Sequence, residues 1–214
     1  YATEAARFLL AQRVKLLVVA CNTASAVALE SLSESCQVPV VGVIEPGARR
    51  ALEVTRNGRV GVIGTEGTIR SGAYERALHR GNPDVVVYAG ACPLFVPLAE
   101  GGWAGHEIAR LAAQEYLAPL LARDIDTLVL GCTHYPLLRA VLQKVAGPKV
   151  TLIDSAEETA KEVAARLEES GLPAVEARPT ARFFVTDIAD RFERVGGAFL
   201  GTPMDGVTTV SPGV

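Results

Sequence analysis

No apolar stretch of this 214-residue chain approaches the length of about 18 residues that a membrane-crossing helix needs. No signal-peptide pattern opens it either. Charge is not segregated: 21 basic residues are interspersed with 24 acidic ones, for a net charge of −3. Without a basic stripe, a nucleic-acid partner is not expected. Four cysteines are too few to staple a chain of this size with disulfides, and no C-x-x-C pair suggests zinc. Free thiols in a reducing cytoplasm are the expected state. The segment Gly64-Thr65-Glu66-Gly67-Thr68-Ile69 superficially resembles a phosphate-binding loop but lacks its lysine, which counts against a nucleotide.

What the chain has in quantity is apolar sequence: 49% of its residues are hydrophobic, with a mean hydropathy of +0.25. Parallel strands buried on both faces explain that excess, because they need apolar side chains on both sides of the sheet. Short apolar runs predict strands over Lys15–Ala20, Val38–Val43, Arg59–Ile63, Asp84–Ala89, Thr127–Leu130 and Val150–Ile153, with a weaker one over Arg182–Val185. Between them, helical patterns cover Tyr1–Gln12 (Ala5, Phe8, Leu9 and Leu10 on one face), Ala24–Ser35, Gly47–Thr55, Thr68–Arg80, Gly105–Ala122, Pro136–Val145, Ala156–Glu169 and Ile188–Val195. The alternation predicts an α/β fold with parallel sheets and helices on both faces.

Two segments read as copies of one another. Leu16-Leu17-Val18-Val19-Ala20-Cys21-Asn22-Thr23 and Thr127-Leu128-Val129-Leu130-Gly131-Cys132-Thr133-His134 each end an uncharged strand at a cysteine, followed by polar residues and a helix. Both sulfurs are therefore expected at carboxyl ends of buried strands, where open α/β sheets hold their ligands. A lone cysteine in this setting reads as a small buried hydrophobe. Two in matched settings point instead to an acid and a base that exchange roles. Their long separation fits one strand from each of two domains, expected as residues 1–45 with 154–214, and residues 46–153.

Around the thiols, Asn22 and Thr23 offer an amide and a hydroxyl to an anionic or amino substrate. His134 either orients substrate and assists its thiol or caps the helix behind it. Thr65 and Thr68, in a glycine-containing strand-to-helix turn, could hold a carboxylate, or the turn is an ordinary one. Glu100, closing the apolar stretch from Cys92 to Ala99, is either a carboxylate partnered by His134 or a solvated loop residue. Cys36 and Cys92 lack polar turns behind them and are assigned to structure, and Asp154-Ser155 to a helix N-cap.

These residues carry a resemblance. Val18–Ser25, Val43–Gly47, Gly61–Thr65, Cys92–Leu94, Leu98–Glu100 and Gly131–Leu138 are similar to the motifs of the cofactor-independent aspartate/glutamate racemase superfamily, in its glutamate-acting branch. The resemblance implies two pseudo-symmetric open parallel-sheet domains facing each other across an active-site cleft, using neither pyridoxal phosphate nor metal. It implies Cys21 and Cys132 as the proton-transferring thiols, Asn22, Thr23, Thr65, Thr68, Thr133 and His134 as substrate contacts, and Glu100 behind them. His134 stands where aspartate-acting members usually have Glu. Glutamate as substrate, D-glutamate for peptidoglycan synthesis, a bacterial cytoplasm and a possible homodimer follow from the same resemblance. Alternatives are a relative acting on another small amino acid, a hydantoin or an arylmalonate, or an inactive binding fragment.

The family pattern starts with a strand ending in Asp-Ser and continues to a Pro-Tyr-Gly motif, both touching substrate. This sequence starts at Tyr1, already inside a helical pattern. An absent N-terminal segment of roughly 50 residues, about one and a half βα units, and little turnover by the 214 residues alone are therefore expected.

Overall fold

Every strand pairing described in the computed structural model is parallel, as uncharged runs with two apolar faces require. The structure describes residues 1–171, 181–204 and 206–211. In chain order the first elements are α1 (Ala2–Ala11), β1 (Leu17–Val19), α2 (Asn22–Ser35), β2 (Val40–Gly42), α3 (Ile44–Val54), β3 (Arg59–Gly64), α4 (Glu66–Arg70), α5 (Ala73–Gly81) and β4 (Val86–Ala91). They are followed by α6 (Phe95–Glu100), α7 (Glu107–Leu121), β5 (Thr127–Gly131), a 3-10 turn (Tyr135–Leu138), α8 (Arg139–Ala146), β6 (Thr151–Asp154), α9 (Ser155–Glu169), β7 (Phe183–Val185), α10 (Ala189–Leu200) and β8 (Val207–Thr209). Among the described residues no helix is long and apolar enough to cross a membrane.

The larger sheet has the order β4-β3-β5-β6, flanked by helices on both faces. Its strands alternate side chains between two cores. Leu128 and Leu130 of β5, Ile63 of β3 and Leu152 of β6 join Ala113, Leu117 and Leu142 from α7 and α8. Val129, Val60, Val62 and Ile153 point the other way, onto Ala48 and Ala51 of α3 and Ala77 and Leu78 of α5. Burying each such aliphatic side chain is worth about 1.5–3 kcal/mol, so a register slip of one residue would invert both cores. A smaller core gathers Ala6, Leu17 and Leu32 beneath the β1-β2 sheet. The remaining pair, β7-β8, is separate.

Four expectations need correction. The predicted helix Thr68–Arg80 is two helices, because Gly72 adopts a left-handed φ of 63° between α4 and α5. Pro136–Val145 begins as a 3-10 turn before α8. On α1 the inward face is Ala2, Ala6 and Leu10, whereas Ala5 and Leu9 are exposed. The segment Glu45-Pro46-Gly47 lies within the first turn of α3, where proline is well tolerated, so α3 starts three residues before the predicted Gly47. Two elements were also unforeseen: α6, whose Pro97 masked its short helical pattern, and the edge strand β8.

Candidate active site

In the larger sheet the chain runs outward from β3 to β4 and then returns past β3 to β5 and β6. Strand order therefore reverses between β3 and β5. Ligands of open α/β sheets bind outside the carboxyl ends of strands at such a point. The register pairs Gly64 with Gly131, so Thr65 and Cys132 leave the sheet side by side. Gly64 is tightly enclosed, and Gly131 has no room for a side chain. A Cβ on Gly131 would stand 2.7 Å from the Ile63 carbonyl oxygen and 3.1 Å from Tyr74 Cε2.

The second thiol approaches from the other sheet. β1 ends before Cys21, which is the N-cap residue of α2 and is exposed, while Cys132 is buried. Ala20 and Val18 of the first sheet share with Cys132, Thr133 and Ser155 a cavity of about 440 Å³. Burial pushes the Cys132 thiol up. Hydrogen bonds from the His134 amide and from Thr133 oppose that shift, and negative charge on Cys21 reinforces it.

Hydroxyls cross the gap between the sheets. Thr23 Oγ1 lies 2.8 Å from Thr65 Oγ1 and 2.9 Å from Thr68 Oγ1, and the last two are 3.1 Å apart. Thr65 Oγ1 also accepts from the Thr68 amide and caps α4. Asn22 is buried, and its Oδ1 accepts a 2.6 Å hydrogen bond from Tyr74. Its Nδ2 is buried and has no partner among the described residues. An unmet buried donor is costly, by about 1–3 kcal/mol.

On the Cys132 side, His134 does not cap the following turn with its ring. Nδ1 lies 3.9 Å from Cys132 Sγ and 3.3 Å from Thr133 Oγ1, while Nε2 lies 3.0 Å from Glu100 Oε1. Glu100 is thus a half-buried carboxylate partnered by His134, not a solvated loop residue. Its other oxygen accepts from Arg191 of α10, which, with His134, holds the carboxyl below the usual range against the effect of burial. Glu100 accepts from Nε2–H, which turns Nδ1 toward the thiol and Thr133. Phe199, also on α10, meets the His134 ring edge-on at 5.7 Å.

Two clusters thus form: Thr23, Thr65 and Thr68 meet between the two sheets, and Thr133, His134 and Glu100 gather beside Cys132. Cys36 and Cys92 lie off them: Cys92 is fully buried behind Gly64, and burial, then the nearby Cys132, pushes its thiol up to about 12. Asp154 accepts from the Ala156 amide as the N-cap of α9, as expected. Tyr74 and Arg191 gave no sequence signal, because each sits at an ordinary position of a helical pattern, and Phe199 lies beyond the helix predicted over Ile188–Val195, which α10 extends to Leu200. Among the described residues no three His, Cys, Asp or Glu side chains converge as metal ligands would.

Two parallel-sheet α/β domains facing each other across a cleft, with a strand-end cysteine from each, define a racemase-type fold. The family model Asp/Glu/Hydantoin racemase matches residues 1–163, and the chain belongs to that family. It is 56% identical to a glutamate racemase of Geobacter metallireducens over 99% of the chain and 78% of the relative. Among solved structures, a glutamate racemase isoform of Bacillus anthracis superposes with a TM-score of 0.94 at 43% identity, covering 98% of this chain and 79% of that one. A glutamate racemase of Francisella tularensis, solved in complex with D-glutamate, gives a TM-score of 0.92 at 38% identity over 99% and 79% of the respective chains.

Proposed function

We propose that the protein interconverts L- and D-glutamate by proton transfer at Cα between Cys21 and Cys132. The observation that carries this reading is the pair of strand-end thiols, Cys21 exposed at the start of α2 and Cys132 lining a cavity that Val18 and Ala20 of the other sheet share. The glutamate racemases among its relatives support the substrate.

In one direction the thiolate of one cysteine takes the Cα proton, and the electron pair stays on the substrate as a carbanion. The opposite thiol then delivers its own proton to the other face, leaving itself a thiolate. The two residues end with their protonation states exchanged, ready for the reverse direction, which is why two similar groups serve better than an unlike pair. Burial favours the protonated form of Cys132, suiting it to the acid role when Cys21 is the base. His134, oriented by Glu100, offers Nδ1 to the Cys132 proton when that thiol must become the base.

The carboxylates need donors that are already in place as charge develops toward Cα. Thr23, Thr65 and Thr68 supply three hydroxyls, Thr133 supplies a fourth, and Asn22 supplies an amide whose donor is unmet. None of these roles calls for a cofactor. D-glutamate made this way would serve peptidoglycan synthesis in a bacterial cytoplasm, and a homodimer is a compatible assembly.

The test uses the protein from its complete reading frame. Circular dichroism should follow L- or D-glutamate to the racemate, with solvent deuterium entering Cα. Cys21→Ala and Cys132→Ala should each abolish racemisation, yet retain elimination from a glutamate analogue bearing a β-leaving group, which needs one base only. Racemisation surviving either substitution would sink the two-thiol mechanism.

A further inference from the structure

The break at Gly72 turns the start of α5 inward, and the residue it delivers is Tyr74, 3% exposed. Its ring touches both halves of the site. The hydroxyl donates to Asn22 Oδ1 at 2.6 Å, next in sequence to Cys21. The ring edge underlies Gly131, next in sequence to Cys132, where even a methyl group would come within 3.1 Å of Cε2. Burial holds the phenol protonated, so it acts as a donor throughout the working pH range.

Asn22 has two ends, and Tyr74 uses one. With Oδ1 accepting from the phenol, Nδ2 is the remaining donor of the amide. Nδ2 is buried and has no partner among the described residues. Buried donors are met in native structures with few exceptions, and each exception calls for an explanation. The neighbours of Asn22 in sequence are Cys21, which is exposed, and Thr23, which belongs to the hydroxyl cluster between the sheets.

We infer that Tyr74 is a positioning residue, fixing the Asn22 amide as a donor to a substrate carboxylate while spacing the Cys132 strand end behind it. The inference rests on the racemase reading of the site. It places a determinant of substrate affinity on α5, a helix that carries neither thiol.

Tyr74→Phe removes the hydroxyl and leaves the ring under Gly131. KM for glutamate should rise roughly tenfold, as for loss of one well-aligned hydrogen bond, and kcat should change less. In an Asn22→Ala background the same substitution should alter kcat/KM by less than about twofold, because its effect passes through Asn22. A purely structural role would instead lower activity equally in both backgrounds. In the unsubstituted protein, saturation with glutamate should shift the Asn22 side-chain amide resonance, an observation independent of whether the variants fold. An unmoved Asn22 amide, an unchanged KM in Tyr74→Phe, or additive effects in the double variant would overturn the role of Tyr74. Absence of Cα deuterium exchange in the unsubstituted protein would overturn the racemase reading together with this inference. Exchange there, combined with a silent Tyr74→Phe, would overturn this inference alone.

Discussion

Asp126 sits one residue before β5, at the end of that strand remote from Cys132, and its carboxylate closes a four-donor clasp. Oδ1 accepts from Thr55 Oγ1 at 2.7 Å and Thr127 Oγ1 at 2.9 Å, and Oδ2 from the amides of Arg56 at 2.6 Å and Asn57 at 2.9 Å. Burial pushes its carboxyl up, but these bonds outweigh it and hold the group below the usual carboxylate range. Asp126→Ala removes all four at once. Hydrogen bonds to a charged group contribute about 1.5–3 kcal/mol each, so simple addition would predict roughly 6–12 kcal/mol. That sum is too large, because Arg56 and Asn57 are exposed and their amides can return to water. Only the Thr127 hydroxyl, on a fully buried residue, stays stranded. The expected loss is therefore about 2–4 kcal/mol, or a fall in Tm of roughly 4–16 °C for a chain of this length.

The sign of the pH dependence follows from linkage. A group with a depressed folded pKa stabilises above its unfolded value and loses that stabilisation as pH falls through the folded one. The gap between Asp126→Ala and the parent should thus be full at neutral pH and narrow below about pH 4. Denaturant titrations at pH 7 and at pH 3 measure it, and kcat at 25 °C should be unchanged because the clasp is at the far end of β5. A gap under about 0.5 kcal/mol at pH 7, the scatter of ordinary surface changes, or one independent of pH, would refute the reasoning.

Two further outcomes follow from the site. Glu100→Gln removes the ionised acceptor of His134 and the partner of Arg191; kcat should fall roughly tenfold to a hundredfold, with KM moving less and Tm little. Steady-state kinetics in both directions check this, and an unchanged kcat would detach Glu100 from the reaction. Gly131→Ala forces a Cβ to within 2.7 Å of the Ile63 carbonyl, which must part β3 from β5 at the site. It should cost about 1–3 kcal/mol as overpacking does, and activity as well, read by thermal melts and racemisation side by side; a variant as stable and active as the parent would show that the strands yield freely.

Much of the architecture was legible in order along the chain. Short uncharged runs such as Thr127–Leu130, bounded by turn residues and too short for a helix, read as strands covered on both faces, and their alternation with helical patterns points to parallel sheets. The two strand-Cys-polar segments pointed to the thiols, because abrupt ends of such runs are strand ends. Residues tied to those motifs in sequence were legible with them: Asn22, Thr23, Thr133 and His134 flank a thiol directly. Glu100 was half legible: its carboxylate stood out after an apolar stretch, but its partner lay 34 positions away.

What the sequence could not determine was pairing. Nothing local states that β3 lies between β4 and β5, and yet that order makes the switch point beside which Thr65 and Cys132 emerge together. Nor does any pattern announce that Gly72 breaks a helix: the apolar periodicity continues through it, and the tertiary packing of Tyr74 beneath Gly131 and onto Asn22 rewards the turn. Arg191 likewise reaches Glu100 only because α10 returns across the site from the far end of the chain. Local sequence thus determined the kinds of element and the chemistry at their ends, since period and composition act over a few residues. The meeting of those ends depended on long-range packing, where side chains from distant segments compete for one buried volume.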